Sequence, residues 1–370
     1  MKSSVPSRQI HPDALKLIAS QLVVLHHFVV YGPLAKALDK MAPTLTDWFY
    51  DYARMAVQVF LVLGGYLAVR SLAPCGQLRM LSPWRTIFER YQRLILPLLA
   101  ALLLALATAA VARYWLNDDF IPEGPSGAQL LAHATLLQGV LGYESLSTGV
   151  WYVAIDFQLF ALITLLLWLG RSPSWGRAPL LGLMLASLFY FNLDASWDNW
   201  ALYFFGAYGL GAAAYWAANA RHPGWRLALL AGVGLLALAV DFRERIAVAL
   251  AVAMLLGALQ WYHNRAPSQT RLPARLTQAV GLLGKTSYAL FLVHFPVLML
   301  GNVLFAELAL EGPWAAGLTL LGCWLACMGL SVLFERGVEA PLVRLGYRLN
   351  RGWSHTSALR PVQSTSPRML

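Results

Sequence analysis

Residues 94–112 read LILPLLAALLLALATAAVA, nineteen positions without a charge, directly after Phe88-Glu89-Arg90-Tyr91-Gln92-Arg93. A run of about 20 apolar residues is what a helix needs to cross the hydrocarbon of a bilayer. Comparable runs fill 227–240 and, broken only by Asp156, 150–169. Over all 370 residues, 58% are hydrophobic and 12% charged, with mean hydropathy +0.56. A soluble domain carries roughly 25% charge, so this composition excludes one. The fold class predicted is an all-α integral membrane protein.

Working outward from that run, hydropathy and turn breaks predict about ten transmembrane helices in a single bundle. They cover 13–31, 51–70, 94–115, 149–169, 179–193, 200–218, 226–241, 245–262, 283–302 and 313–334. The domain is expected over 1–349. Residues 350–370, rich in Ser, Pro and Arg, are expected to form a disordered cytoplasmic tail. The first span lacks a small-residue cleavage site and carries two histidines, so it is read as retained rather than as a signal peptide. Basic residues sort the loops. With both termini in the cytoplasm, the inside segments hold 22 of the 28 Lys and Arg, and the outside ones only Lys36, Lys40, Arg54, Arg113, Arg243 and Arg245. That is the positive-inside pattern, so the net charge of +10 reads as orientation and not as nucleic-acid binding. Acidic residues, among them Asp118, Asp119, Glu123 and Asp198, gather outside. Gly64-Gly65 is expected to mark close helix packing. Cys323 and Cys327 read as small packing residues, with no disulfide framework and no metal site.

Ionisable groups inside apolar segments are costly and usually functional. Asp13, Lys16, Ser20 and His27 fall on one helical stripe, whereas His26 is rotated by ~100° from it. His27 is therefore the histidine expected to face the bundle. Asp156, one turn from Tyr152, is expected at the depth of His27, which makes the two a candidate acid/base pair. The plainer alternative is a salt bridge from Asp156 to Lys16 or an arginine. Arg90 and Arg93 share a face where their helix leaves the cytoplasm. With Arg79 and Arg85 they suit a phosphate-binding cluster, or else snorkel to lipid phosphates. Ser287 and His294, seven apart, share a face that puts His294 near mid-membrane.

In this order, these segments resemble the family 3 membrane acyltransferases, the O-acetylase type that modifies bacterial surface glycans. The resemblance rests on Asp13-x-Leu15-Lys16 through His27-Phe28, Phe60 through Gly64-Gly65-Tyr66, and Arg90-x-x-Arg93-x-x-x-Pro97. It continues with Trp151-Tyr152 through Asp156-x-Gln158, Ser287-Tyr288 through His294-x-Pro296, and Glu339-x-Pro341. Lys16, Gly64 and Asp156 stand where the family usually has Arg, Ser and Glu.

The resemblance implies a multi-pass protein of the bacterial inner membrane that transfers an acyl group, by family habit acetyl, from cytosolic acyl-CoA to a glycan or glycolipid hydroxyl. Acyl-CoA is then a co-substrate, with no bound cofactor. Arg90 and Arg93 would hold its phosphates, and the pantetheine arm would pass Ser287 and His294. His27 would act as general base, oriented by Asp156. Direct transfer and an acyl-enzyme on serine or tyrosine both stay open. The rival class is a proton-coupled transporter of a small anionic or glycan solute, which uses the same residue types but shows no repeat halves here. A purely structural export subunit leaves the polar stripe unexplained. In the outer loops, Trp48, Tyr50, Trp115, Tyr143 and His133 read either as interface anchors or as a surface for sugar.

Overall fold

The computed structural model describes residues 10–76, 78, 82–171, 176–266, 274–308 and 313–357. Among them all regular structure is helical. The helices are α1 (Ile10–Val30), α2 (Gly32–Met41), α3 (Pro43–Asp51), α4 (Ala56–Leu72), α5 (Pro83–Trp115), α6 (Gly127–Ala134) and α7 (Val150–Leu169). They continue with α8 (Ala178–Phe189), α9 (Ala201–Ala218), α10 (Pro223–Val240), α11 (Glu244–Arg265), α12 (Ala274–Glu307), α13 (Pro313–Phe334) and α14 (Ala340–Ser357). A π-helical turn at Glu335–Glu339 joins the last two. Local chemistry sets several starts. Proline opens α2, α3, α5, α8 and α10, where its missing N–H is no loss. Ser82 and Ser126 cap α5 and α6 by accepting from the backbone N–H of Arg85 and Gln129.

Eight helical stretches are long and apolar enough to cross a membrane, and the chain is an all-α multi-pass membrane protein. Each of the ten segments read from the sequence contains a helix, but α8 and α9 are not among the eight. Twelve residues make α8 about 18 Å long, short of the ~30 Å hydrocarbon thickness. Composition sets α9 apart. Apart from Leu202 and Leu210 it is built of Ala, Gly and aromatic residues, and sixteen of its eighteen residues are buried. It is the hub against which α4, α7, α8, α10 and α11 pack. A second core joins α1, α5, α7 and α12, and a third joins α1, α2, α5, α12 and α13.

Two expected boundaries move. At 33 residues, α5 runs to about 50 Å, and it begins eleven residues before the apolar run, so it projects well past a bilayer core. Residues 350–357, expected within an unstructured tail, continue α14, while 358–370 lie outside the described residues.

Glycine makes the hub possible. A Cβ on Gly65 would stand 1.8 Å from the Tyr208 carbonyl oxygen, and one on Gly211 1.9 Å from that of Val62. So α4 and α9 touch backbone to backbone, which small residues permit. Gly182 on α8 has nothing within 4 Å of the same position. We expect Gly65→Ala and Gly211→Ala each to destabilise the protein by about 1–3 kcal/mol, the usual cost of overpacking, whereas Gly182→Ala leaves it unchanged or slightly firmer. Thermal unfolding of the purified variants in one detergent checks the contrast.

Candidate active site

Contacts sort the loops into two ends. At the first, Arg177 donates to the Cys75 carbonyl and lies over the Trp216 ring. The Trp216 indole N–H bonds the Ala73 carbonyl, and Asn264 reaches Ala218 and Asn219. This end gathers the connections rich in Lys and Arg. At the second, acidic end, Arg243 donates to Asn192 and to the Leu188 carbonyl. Burial holds the Arg243 guanidinium below its ordinary pKa despite the neighbouring Asp241.

A cavity of about 1160 Å³ opens at the acidic end. His27 lines it, three residues before the end of α1. Its Nδ1 lies 2.7 Å from Nε2 of His294 on α12. The two rings are 9° from parallel with centroids 4.9 Å apart. With so short an N···N contact, that separation sets them end to end in nearly one plane. Hydrogen-bond direction then follows from a carbonyl. His294 Nδ1 is 2.8 Å from the Phe291 oxygen, which can only accept, so His294 Nδ1 carries the hydrogen. A neutral His294 therefore accepts at Nε2, His27 donates from Nδ1, and His27 keeps a bare lone pair on Nε2. Thr148, which also lines the cavity, stands 3.4 Å from His294 Nε2.

The other expected site residues fall elsewhere. Asp156 does not meet His27. Its carboxylate takes a 2.5 Å bond from Arg90, whose guanidinium lies over the Phe160 ring. The plainer expectation, a salt bridge to an arginine, is the one found. Arg90 and Arg93 consequently part company. Arg90 turns into the bundle, and Arg93 stays exposed beside Gln92, Gly346 and Tyr347 in the groove between α5 and α14. Arg85 pairs with Glu89 at 2.9 Å, and Arg79 lies outside the described residues. Ser287 is buried and returns its hydroxyl to the Leu283 carbonyl one turn back. His294, expected along a donor path, is fully buried and serves as the partner of His27.

Sequence reasoning missed His26, which also lines the cavity and has its Nδ1 3.1 Å from the Phe49 oxygen. The reason is α2 and α3, which fold back against α1 and cover the side, rotated from the polar stripe, on which His26 lies. Of the outer aromatics singled out, Trp48, Tyr50, Trp115 and Tyr143 are exposed and do not line the cavity. His133 is a buried brace. It meets the Gln129 oxygen at 2.8 Å and accepts from the Leu146 N–H, and burial lowers its pKa from the ordinary value. The rings that do line the cavity include Tyr31, Phe120, Trp151, Tyr203 and Phe204. Thr148, on the turn leading into α7, carried no periodic signal that could have marked it.

A family model described as an acyltransferase domain, that of the family 3 acyltransferases, matches residues 10–330. No curated protein and no solved structure matches the chain.

The Arg90–Asp156 pair generates a stability prediction. Removing one partner of a buried pair leaves the other charge uncompensated, at a cost of roughly 3–5 kcal/mol, whereas replacing both by apolar side chains is often close to neutral. Arg90→Met and Asp156→Leu are each expected to lower the melting temperature sharply, and the double variant to recover most of the loss. A double variant that melts as low as the worse single one would show that the pair is not what these side chains supply.

Proposed function

The chain belongs to the family 3 acyltransferases, and from that premise we propose that it moves an acyl group, acetyl by family habit, from acyl-CoA to a hydroxyl of a surface glycan or lipid-linked glycan. The observation that carries this reading is the bare Nε2 of His27 at a cavity large enough for a sugar, backed by a hydrogen bond of fixed direction. On the orientation argued from the basic residues, the cavity opens away from the cytoplasm. The acceptor then arrives from outside and the donor from the basic end of a bacterial inner membrane protein.

Chemistry at such a site needs one base. His27 Nε2 takes the acceptor hydroxyl proton as the oxygen attacks the thioester carbonyl. The C–O bond forms, the C–S bond breaks, and the proton passes from Nε2 to the departing thiolate, so that CoA leaves as its thiol. While Nε2 holds the proton, His294 accepts from Nδ1 and disperses the imidazolium charge, the task of the third member of a triad. Held geometry of this kind acts without reorganisation during the reaction. Arg93, exposed at the basic end and in no ion pair among the described residues, is the described arginine best disposed for donor phosphates. Arg90 contributes through Asp156 to the bundle instead. Membership of an acyltransferase family leaves nothing to favour the transporter reading.

For protein reconstituted in liposomes with labelled acetyl-CoA and a crude glycan acceptor, His27→Ala is expected to lower kcat by about 10²–10⁴-fold, the usual share of a general base. His294→Leu lowers kcat with KM for acetyl-CoA unchanged, and His294→Gln, which restores an acceptor for Nδ1–H, recovers part of it. Arg93→Ala raises KM for acetyl-CoA. Full ester formation by His27→Ala would end this mechanism.

A further inference from the structure

The cavity over His27 is larger than one sugar ring requires, and its charge is lopsided. At about 1160 Å³ it exceeds the ~300–1,000 Å³ that encloses a drug-sized molecule, so several linked rings fit. Its rim carries Asp118, Asp119, Glu123, Glu144 and Asp198 against Arg54, Arg113 and Arg245. The three guanidiniums each meet a neutral acceptor and keep their charge: Arg54 the Asp51 carbonyl at 3.1 Å, Arg113 that of Pro122, and Arg245 the Tyr203 hydroxyl. The five carboxylates outnumber them. Among the described residues none of the five forms an ion pair, and Asp118 alone accepts a hydrogen bond, from the Phe120 N–H at 3.4 Å. A cleft lined mainly by one sign of charge concentrates ligands of the other sign and repels its own. Phe120, Trp151 and Phe204 also line the cavity, and aromatic rings attract cations as well as sugar C–H groups; the Tyr203 ring is already covered by Arg245.

We propose that the acceptor is an amino-sugar oligomer, a chain of several sugars bearing ammonium groups, and that uronate- or phosphate-bearing chains are turned away at the rim. The proposal rests on the acyltransfer reading of the same cavity, whose floor is His27. It also bears on which atom is acylated. Neighbouring carboxylates favour the protonated form of an amine, and an ammonium nitrogen has no lone pair with which to attack a thioester. The hydroxyl brought to His27 Nε2 therefore reacts, the product is an ester, and the amine remains cationic.

Full-length protein in nanodiscs of zwitterionic lipid tests this with three labelled oligomers of equal length, made of glucosamine, glucose or a uronate. Binding is followed by fluorescence polarisation at low and at physiological salt, and acyl transfer from acetyl-CoA by mass spectrometry. The glucosamine oligomer is expected to bind about tenfold or more tighter than the uronate one, with a gap that narrows as salt rises. The Asp119→Asn/Glu123→Gln double variant, altered only at the exposed rim, should narrow it at low salt as well, and acylated glucosamine oligomer should carry esters rather than amides. Uronate binding as tight as glucosamine binding, or amide as the main product, would overturn the proposal. Charge-ordered binding with no transfer to any oligomer would leave the cavity's selectivity standing and overturn the acyltransfer reading. Transfer to the uronate chain with equal binding would do the reverse.

Discussion

Between α1 and α12 a single carbonyl decides the state of two imidazoles. The Phe291 oxygen can only accept, so it settles which nitrogen of His294 is protonated, and through that contact which nitrogen of His27 is left bare. Such a chain of donors has meaning only if α1 and α12 are fixed against each other, and α12 does this twice. Two turns beyond His294, the Asn302 side chain accepts from the Leu34 N–H at 2.9 Å and donates to the Tyr31 carbonyl at 3.3 Å. It thereby holds the turn by which α1 passes into α2. Gly32 has φ +83 there, and a Cβ on it would meet Asn302 at 2.4 Å. The helix that supplies the hydrogen-bond partner of His27 thus also anchors the end of the helix that carries His27.

The same demand for satisfied polar groups explains the deeper ion pair. In an apolar bundle a lone carboxylate or guanidinium is far costlier than the two together with their hydrogen bonds. Arg90 reaches Asp156 from α5, and the ring of Phe160, one helical turn along α7 from Asp156, covers the guanidinium. Gly64 keeps this region open, since a Cβ on it would press on the Tyr208 ring at 2.6 Å and approach Asp156 at 3.5 Å. The residue type at 64 is accordingly tied to the pair, because any larger side chain there displaces Tyr208 or the carboxylate.

How much of this was legible beforehand follows from what a one-dimensional pattern contains. Long uncharged runs bounded by Arg and Lys give the helices and their order, because hydropathy over twenty residues is a local property. Helical spacing gives the direction a side chain leaves its own axis, which is why the stripe through Lys16 and His27 selects a histidine that does line the cavity. Spacing does not say which neighbouring helix that direction meets. Asp156 and His27 share an expected depth, yet depth alone could not tell that Arg90, on a side chain long enough to reach in from the basic end, takes the carboxylate first. His26 was lost for a related reason: α2 and α3 double back on α1, and no periodicity within α1 foretells that cover. The outer aromatics were assigned by composition, whereas the rings that line the cavity come from turns and helix starts whose direction the tertiary contacts set.

A neutral imidazole in the place where a triad has its carboxylate changes the electrostatics of the proposed transfer. A carboxylate would bring a full negative charge that the bundle must offset in its resting state, and a bare one beside His27 would need a cation of its own. Asp156, the carboxylate expected in that place from the sequence, already has its cation in Arg90. His294 adds no net charge, so the resting site costs little to bury. It also holds an imidazolium less strongly than an anion would, since it offers a dipole and a hydrogen bond in place of a charge. The protonated state of His27 is then worth forming only while the thiolate is being released, and the base is free again once that proton has moved on. In water this would be a weakness. At the floor of the cavity, where His27 is only partly exposed, it confines the charged state of the base to the interval in which the acceptor oxygen and the departing sulfur share its proton.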